Sequence, residues 1–177
     1  VAFPPAQTTE EGVSISLNVD KVKEWLSIAT NFVANDELRP VMTGMYIYGK
    51  DGRMGVCATD AHKLFTDSIE SDCEEFGVIL PSSGFKPLLN IIANVSEVSA
   101  VIGAKNISFT TSDSALHCRL VEGNYPNFKA VIPQNNGVAV KVSKSELLDS
   151  VNRASLMANK TTSLLKLSVS DSVMGIE

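Results

Sequence analysis

Residues Val13 to Leu17 (VSISL) alternate apolar and polar positions, the period of two expected of a half-buried strand. From Asp20, which the pattern offers as an N-cap, the spacing changes to three and four. Val22, Trp25, Leu26, Ala29, Phe32 and Val33 make one apolar stripe and predict a helix to about Ala34, with Lys21, Lys23, Glu24, Ser27 and Asn31 on its other face. Strands are predicted at about 42–49 and 53–59. Lys50-Asp51-Gly52 joins them as a hairpin, because Asp-Gly accepts the positive φ of a tight turn. A third strand begins near Lys63. Next come a strand at Gly77–Leu80, a helix start at Pro81–Ser83, and an apolar helical stripe of Phe85, Leu88, Leu89 and Ile92. Strands at Val98–Ile102, Ile107–Thr111 and Ala115–Val121 complete the run.

The order strand, helix, strands therefore occurs twice before residue 122, and a third round follows Pro126–Pro133. That round predicts a strand at Val138–Val142, an N-cap at Ser143, a helix to about Met157, and strands near 164–169 and 172–177. Its details echo the first round. MYIYGKDGRMGV (45–56) aligns with LKLSVSDSVMGI (165–176), and Trp25, Leu26, Ala29 and Phe32 match Leu147, Leu148, Val151 and Ala154. The implied organisation is a domain of two half-units, followed by the opening of a second such domain that holds too few residues for a core of its own.

Composition narrows the class. With 44% hydrophobic residues in 177, the chain can bury a real core, and no apolar run approaches the length of a membrane span. The Phe3-Pro4-Pro5 start reads as extended chain, and no charged segment precedes an apolar one as a secretory leader requires. Cys57, Cys73 and Cys118 lack metal or redox spacing, so a reducing cytoplasm is expected. The balance of 15 basic against 20 acidic residues, net −5, argues against a surface coated with positive charge for nucleic acid, although one basic face remains compatible with it.

The candidate chemistry lies in ATDAHKLF (58–65). If this segment is a strand, Asp60 and His62 share a face, and Asp60 could orient His62 as the base of a small hydrolase. No nucleophile, metal set or phosphate loop accompanies them. The competing local reading is a turn held by Asp hydrogen bonds.

Three stretches carry a family resemblance: NDELRPVMTGM (35–45), ATDAHKL (58–64) and LVEGNYPNFKAVIP (120–133). In this order and spacing they resemble the bacterial sliding clamps, the β subunit of DNA polymerase III. The third stretch is similar to that family's L-[IV]-[ED]-G-x-[FY]-P-[DN]-[FY] segment. The resemblance implies an α+β DNA clamp fold of repeated β-α-β-β-β units, with antiparallel sheets outside and helices lining a central hole. Residues 1–136 would be the middle domain and 137–177 the first part of a truncated third domain. It also explains the acidic balance, since a ring needs cations only on its inner face.

The implied function is that of a non-catalytic processivity factor, which encircles duplex DNA without sequence readout and tethers the replicative polymerase, clamp loader and other clamp-binding proteins through a peptide groove. By resemblance the groove is formed by Met42, Thr59, Ala61, His62, Lys63, Leu64, Pro126, Ala130 and Val131, and in the family it is completed by third-domain residues beyond this chain. The alternative for Met42 and Val131 is ordinary core. Arg39 and Lys86, then Lys21, Lys23 and Lys144, are the candidates to face DNA, against a plain solvated face. Leu156 and Met157 match subunit-interface positions, against a plain role in the chain's own core, and are expected here to be exposed or in a non-native contact. The chain departs from the common pattern in three places. Ala61 stands where glycine is usual, Ala130 where a basic residue is frequent, and Ser82-Ser83 where some members carry a basic pair. No cofactor or metal is implied. The full-length protein is expected to be a homodimeric ring in the bacterial cytoplasm, associated with the nucleoid, and this chain alone a monomer. A generic interaction module without DNA remains the third reading.

Overall fold

The computed structural model describes residues 12–36, 38–170 and 173–177. The Phe3-Pro4-Pro5 start and the beginning of the strand expected at 172 lie outside the described residues. The chain divides into two compact units between Ile132 and Pro133.

In the first unit, β1 (Val13–Asn18) runs straight into α1 (Val19–Ala29). The cap of α1 is Asn18, not Asp20: the Asn18 side chain accepts the backbone N–H of Lys21 at 2.9 Å, and Asp20 lies in the first turn, where its charge suits the positive helix end. Both residues can cap. The choice falls on Asn18 because Val19 is already buried as the first helical residue. The helix also stops at Ala29, earlier than its apolar stripe suggests. Tighter bonds from Asn31 to Ile28 and from Phe32 to Ala29 take over, while Val33 and Ala34 stay buried.

A 3-10 turn at Pro40–Met42 precedes β2 (Gly44–Lys50), so Met42 lies outside the strand predicted to start with it. β3 (Arg53–Thr59) follows through Asp51 and Gly52, both at positive φ, and β4 (Leu64–Glu70) completes the first half. The second half repeats the order as β5 (Phe76–Pro81), α2 (Phe85–Ile91), β6 (Glu97–Ile102), β7 (Asn106–Thr110) and β8 (Ala115–Arg119).

The halves exchange their first strands. One antiparallel sheet has the order β4-β3-β2-β5, and the other β1-β6-β7-β8. Each half therefore donates a strand to its neighbour's sheet, and the amide of Val121 bonds the Ile79 carbonyl where the sheets meet. α1 and α2 pack against each other on the inner faces of the sheets. Trp25, Leu26, Met45, Val56, Leu80, Leu88 and Phe109 form one continuous core with almost no exposed surface. Burying a side chain such as Leu26 is worth about 2 to 3 kcal/mol. The Trp25 indole donates to Asp67 on β4 at 2.8 Å, and the Lys21 ammonium pairs with the same carboxylate at 2.9 Å, locking α1 to its sheet.

The second unit contains α3 (Lys144–Ser155), capped by Ser143 as expected, and the hairpin β9 (Leu167–Ser170) and β10 (Val173–Ile176). Residues 138–142 form no strand, contrary to expectation. Their counterpart β1 is held by β6, and the described residues of the second unit contain no equivalent of that partner. The helix ends at Ser155, before Leu156 and Met157.

Candidate functional site

The segment 60–63 is a turn, so the shared-face geometry that would make Asp60 and His62 a catalytic pair does not arise. Thr59 ends β3 opposite Leu64, which begins β4. Between them the Asp60 carboxylate accepts the backbone N–H groups of His62 at 2.9 Å and Lys63 at 3.0 Å. The Thr59 hydroxyl accepts the amide of Ala61 at 3.1 Å and donates to the Lys63 carbonyl at 2.8 Å. Ala61 is held at φ +77°, a left-handed conformation that glycine adopts freely and alanine only with strain. The Lys63 amide, joined by the His62 amide and the Lys63 ammonium at 3.3 Å, holds the Asp60 carboxyl at a pKa of about 2 against the opposing effect of burial. The carboxylate is committed to the backbone, and among the described residues no hydrogen bond joins it to the His62 ring. The hydrolase reading loses its orienting acid.

A second segment reaches the same place from 120–131. Gly123, at φ +129°, turns the chain after β8. Tyr125 then stacks on Tyr46 with centroids 5.0 Å apart and planes 7° apart, Tyr46 stacks on Tyr48 at 5.4 Å, and Tyr48 meets Phe128 at 5.9 Å. Tyr46 and Tyr48 project from the outer face of β2, where alternation places them opposite the core-facing Met45 and Ile47. Tyr48 is opposite both Gly55 and Gly77. A Cβ at Gly55 would strike the Tyr48 ring, and one at Gly77 the Tyr46 ring, so the tyrosines lie across the strands only because these positions are glycine. The Tyr125 hydroxyl is buried beside the Cys57 thiol, and among the described residues no partner meets it within hydrogen-bonding geometry. Burial raises the pKa of both groups, that of Cys57 to about 12. They are neutral packing groups rather than reactive ones. On this aromatic bed a 3-10 turn, Phe128–Val131, buries Phe128 and leaves Val131 outside, 69% exposed.

The third segment brings Met42, half-buried at the end of its 3-10 turn and held by the Ala34 amide on its carbonyl at 2.8 Å. Together the three segments enclose a groove of about 380 Å³ lined by Met42, Thr59, Ala61, His62, Lys63, Leu64, Pro126 and Val131. Ala130 is exposed on the 3-10 turn and does not line it. Asn127 and Phe128 do, and neither was singled out from the sequence, although both belong to the 120–133 stretch and Phe128 continues its aromatic pattern. The core alternative for Met42 and Val131 fails, because neither is buried.

The candidate cations divide by their surroundings. Lys21 is paired with Glu24 at 2.7 Å as well as with Asp67, and its pKa is raised by hydrogen bonds to those two carboxylates. Lys23 donates to the Ala93 carbonyl at 3.0 Å. Arg39 donates to the Asp60 carbonyl at 3.3 Å and lies 3.6 Å from Asp36. Lys86 projects from α2 into solvent, and Lys144 begins α3, also exposed. Ser82 and Ser83 are exposed in the 3-10 turn before α2. Leu156 and Met157 are 83% and 89% exposed. Among the described residues no cluster of His, Cys, Asp and Glu could hold a metal ion, and no helix is long and apolar enough to cross a membrane.

Residues 16–127 match the family model described as the DNA polymerase III beta subunit, central domain. Among curated relatives, the beta sliding clamp of Synechocystis is 30% identical over 91% of this chain, and that of Bacillus subtilis 28% identical over 94%. The chain spans about half the length of these relatives, 46% and 45% respectively. The crystal structure of the Bacillus subtilis sliding clamp superposes with a TM-score of 0.91 at 26% identity, over 98% of this chain and 47% of that one. A Pseudomonas aeruginosa clamp, solved bound to griselimycin, shares the fold at a TM-score of 0.91 and 22% identity, over 98% of this chain and 48% of its own.

Proposed function

Because the chain belongs to the DNA polymerase III beta subunit family through its central domain, we propose that it acts within a sliding clamp as a non-catalytic processivity factor. Residues 1–136 serve as the middle domain and 137–177 as the opening of the third. In the full-length protein, two subunits close a ring around duplex DNA in the bacterial cytoplasm, on the nucleoid. The present chain, without the rest of the ring, is a monomer, and Leu156 and Met157 belong to the surface that a neighbouring subunit covers.

The observation that carries this reading is the convergence of Met42, Thr59–Leu64 and Pro126–Val131 on one groove. Its walls are apolar at Met42, Leu64, Pro126 and Val131, which suits aliphatic and aromatic anchors. Its rim is polar at Thr59, His62 and Lys63, which sets the direction of a bound peptide. Its occupants are short linear segments of the replicative polymerase, the clamp loader and other clamp users. The clamp itself performs no covalent step. It raises the polymerase's effective concentration at the primer end, by topology on the DNA side and by peptide capture on the other. Contacts to DNA are to phosphates and carry no sequence information. Lys86, exposed and without an ion pair among the described residues, is the first candidate, followed by Arg39, which lies beside Asp36, while Lys21 is compensated by two carboxylates.

The test is fluorescence polarisation with a labelled synthetic peptide carrying adjacent leucine and phenylalanine anchors. Met42→Ala and His62→Ala are each expected to weaken binding about tenfold, the scale of an interface anchor. Affinity unchanged in both variants would sink the groove assignment.

A further inference from the structure

A second basin lies against the groove, on the far side of Pro126–Phe128. It measures about 280 Å³. Its floor is the outward pair Tyr46 and Tyr48, its near wall is the same Pro126–Phe128 segment that bounds the groove, and its rim carries Lys129, Lys50 and Glu75. The two depressions thus share one wall and lie within the same unit. The charges at this rim are unequal. Lys50 pairs with Glu75 at 3.4 Å, whereas Lys129 forms no ion pair among the described residues and stands 5.7 Å from the centroid of the Tyr48 ring. Lys129 thus places an uncompensated ammonium over an aromatic floor, beside a lysine that is already paired.

We propose that this basin is an extension site for the peptide held in the groove, and that it takes an acidic residue of the chain leaving that groove. The inference rests on the groove reading. Tyr46 and Tyr48 offer flat, preorganised surface on which an extended backbone can lie, and Lys129 supplies the opposite charge for a carboxylate passing over the ring. Glu75 opposes it and holds Lys50 away from the task. The site therefore selects among peptides that share the same apolar anchors, by the charge that flanks them.

The experiment compares three kinds of synthetic peptide on the full-length ring by fluorescence polarisation. One carries only the anchors, one has an added Asp-Glu-Asp segment, and one an added neutral Ser-Ser-Ser segment, each extension placed at either end in turn. The acidic extension at one end is expected to raise affinity about fivefold, with the gain fading at high salt, as for a solvent-exposed ion pair. Lys129→Ala abolishes the gain and leaves the unextended peptide unchanged, while Glu75→Gln enlarges the gain by freeing Lys50. An acidic gain that survives Lys129→Ala, or no gain at either end, overturns the extension site and leaves the groove reading standing. Failure of all the peptides to bind overturns the groove reading, and the extension site with it.

Discussion

Ala61→Gly should stabilise the first unit. Ala61 holds φ at +77° in a turn where every hydrogen bond involves backbone atoms or the side chains of Thr59 and Asp60, so the substitution deletes no partner. Its methyl group is exposed, so no packing is lost either. An ordinary residue in the left-handed region costs about 1 to 2 kcal/mol, and glycine removes that cost. Against this, glycine makes the unfolded chain more disordered by about 0.4 to 1 kcal/mol. From the middle of each range the net gain is about 0.8 kcal/mol, or about 2 to 3 °C in Tm for a chain of this size. Trp25 is the only tryptophan and is buried in α1, so its fluorescence on heating reports the unfolding of this unit. Asp51→Gly is the control. Asp51 also has positive φ, at 54°, but aspartate tolerates that region, and its replacement should be nearly neutral. A lower Tm for Ala61→Gly, or an equal gain in the control, would refute the reasoning.

Three further outcomes follow from the geometry. The Asp60 carboxyl, held at about 2, contributes stability that is present above the ordinary carboxyl pKa near 4 and is lost as pH falls toward 2. The shift caps this at about 2 kcal/mol, and solvent screening reduces it to about 1; Asp60→Asn should flatten the acid limb of an unfolding titration, and an unchanged limb would contradict the assignment. Gly55→Ala forces the Tyr48 ring off its strand, and should cost about 1 to 3 kcal/mol in urea unfolding and disturb the Tyr48–Phe128 contact, so wild-type stability would show that the ring has room to move. In the full-length ring, Lys86→Ala should lower the salt slope of DNA binding by about one and Lys21→Ala by much less, and the reverse order would overturn the ranking of the two cations.

The site was partly legible for the same reason that its turn was. Asp60 acts on residues two and three positions away, and such local bonds leave a signature in ATDAHKL. The strand reading that paired Asp60 with His62 failed because periodicity does not register where a ladder ends. Here it ends at Thr59, with four residues forced into a turn before Leu64. Asn127 and Phe128 were missed because their position depends on Tyr46 and Tyr48, far away in the chain, and on the glycines that let those rings lie flat.

What the sequence by itself determined is what acts over a few residues: the helical stripe of Val22 to Ala29, the Asp51-Gly52 hairpin, the Ser143 cap and the repeated order of elements. Tertiary structure alone decided the exchange of β1 and β5 between half-units. Alternation marks which face of a strand is buried, but not which strand lies beside it. It likewise decided that Asn18 rather than Asp20 caps α1, that residues 138–142 remain unpaired, and that Met42, His62 and Val131 meet at one groove. The groove and the strand pairings depend on partners distant in sequence, and the choice of cap on a core that buries Val19; their free energy is realised only when the distant elements arrive.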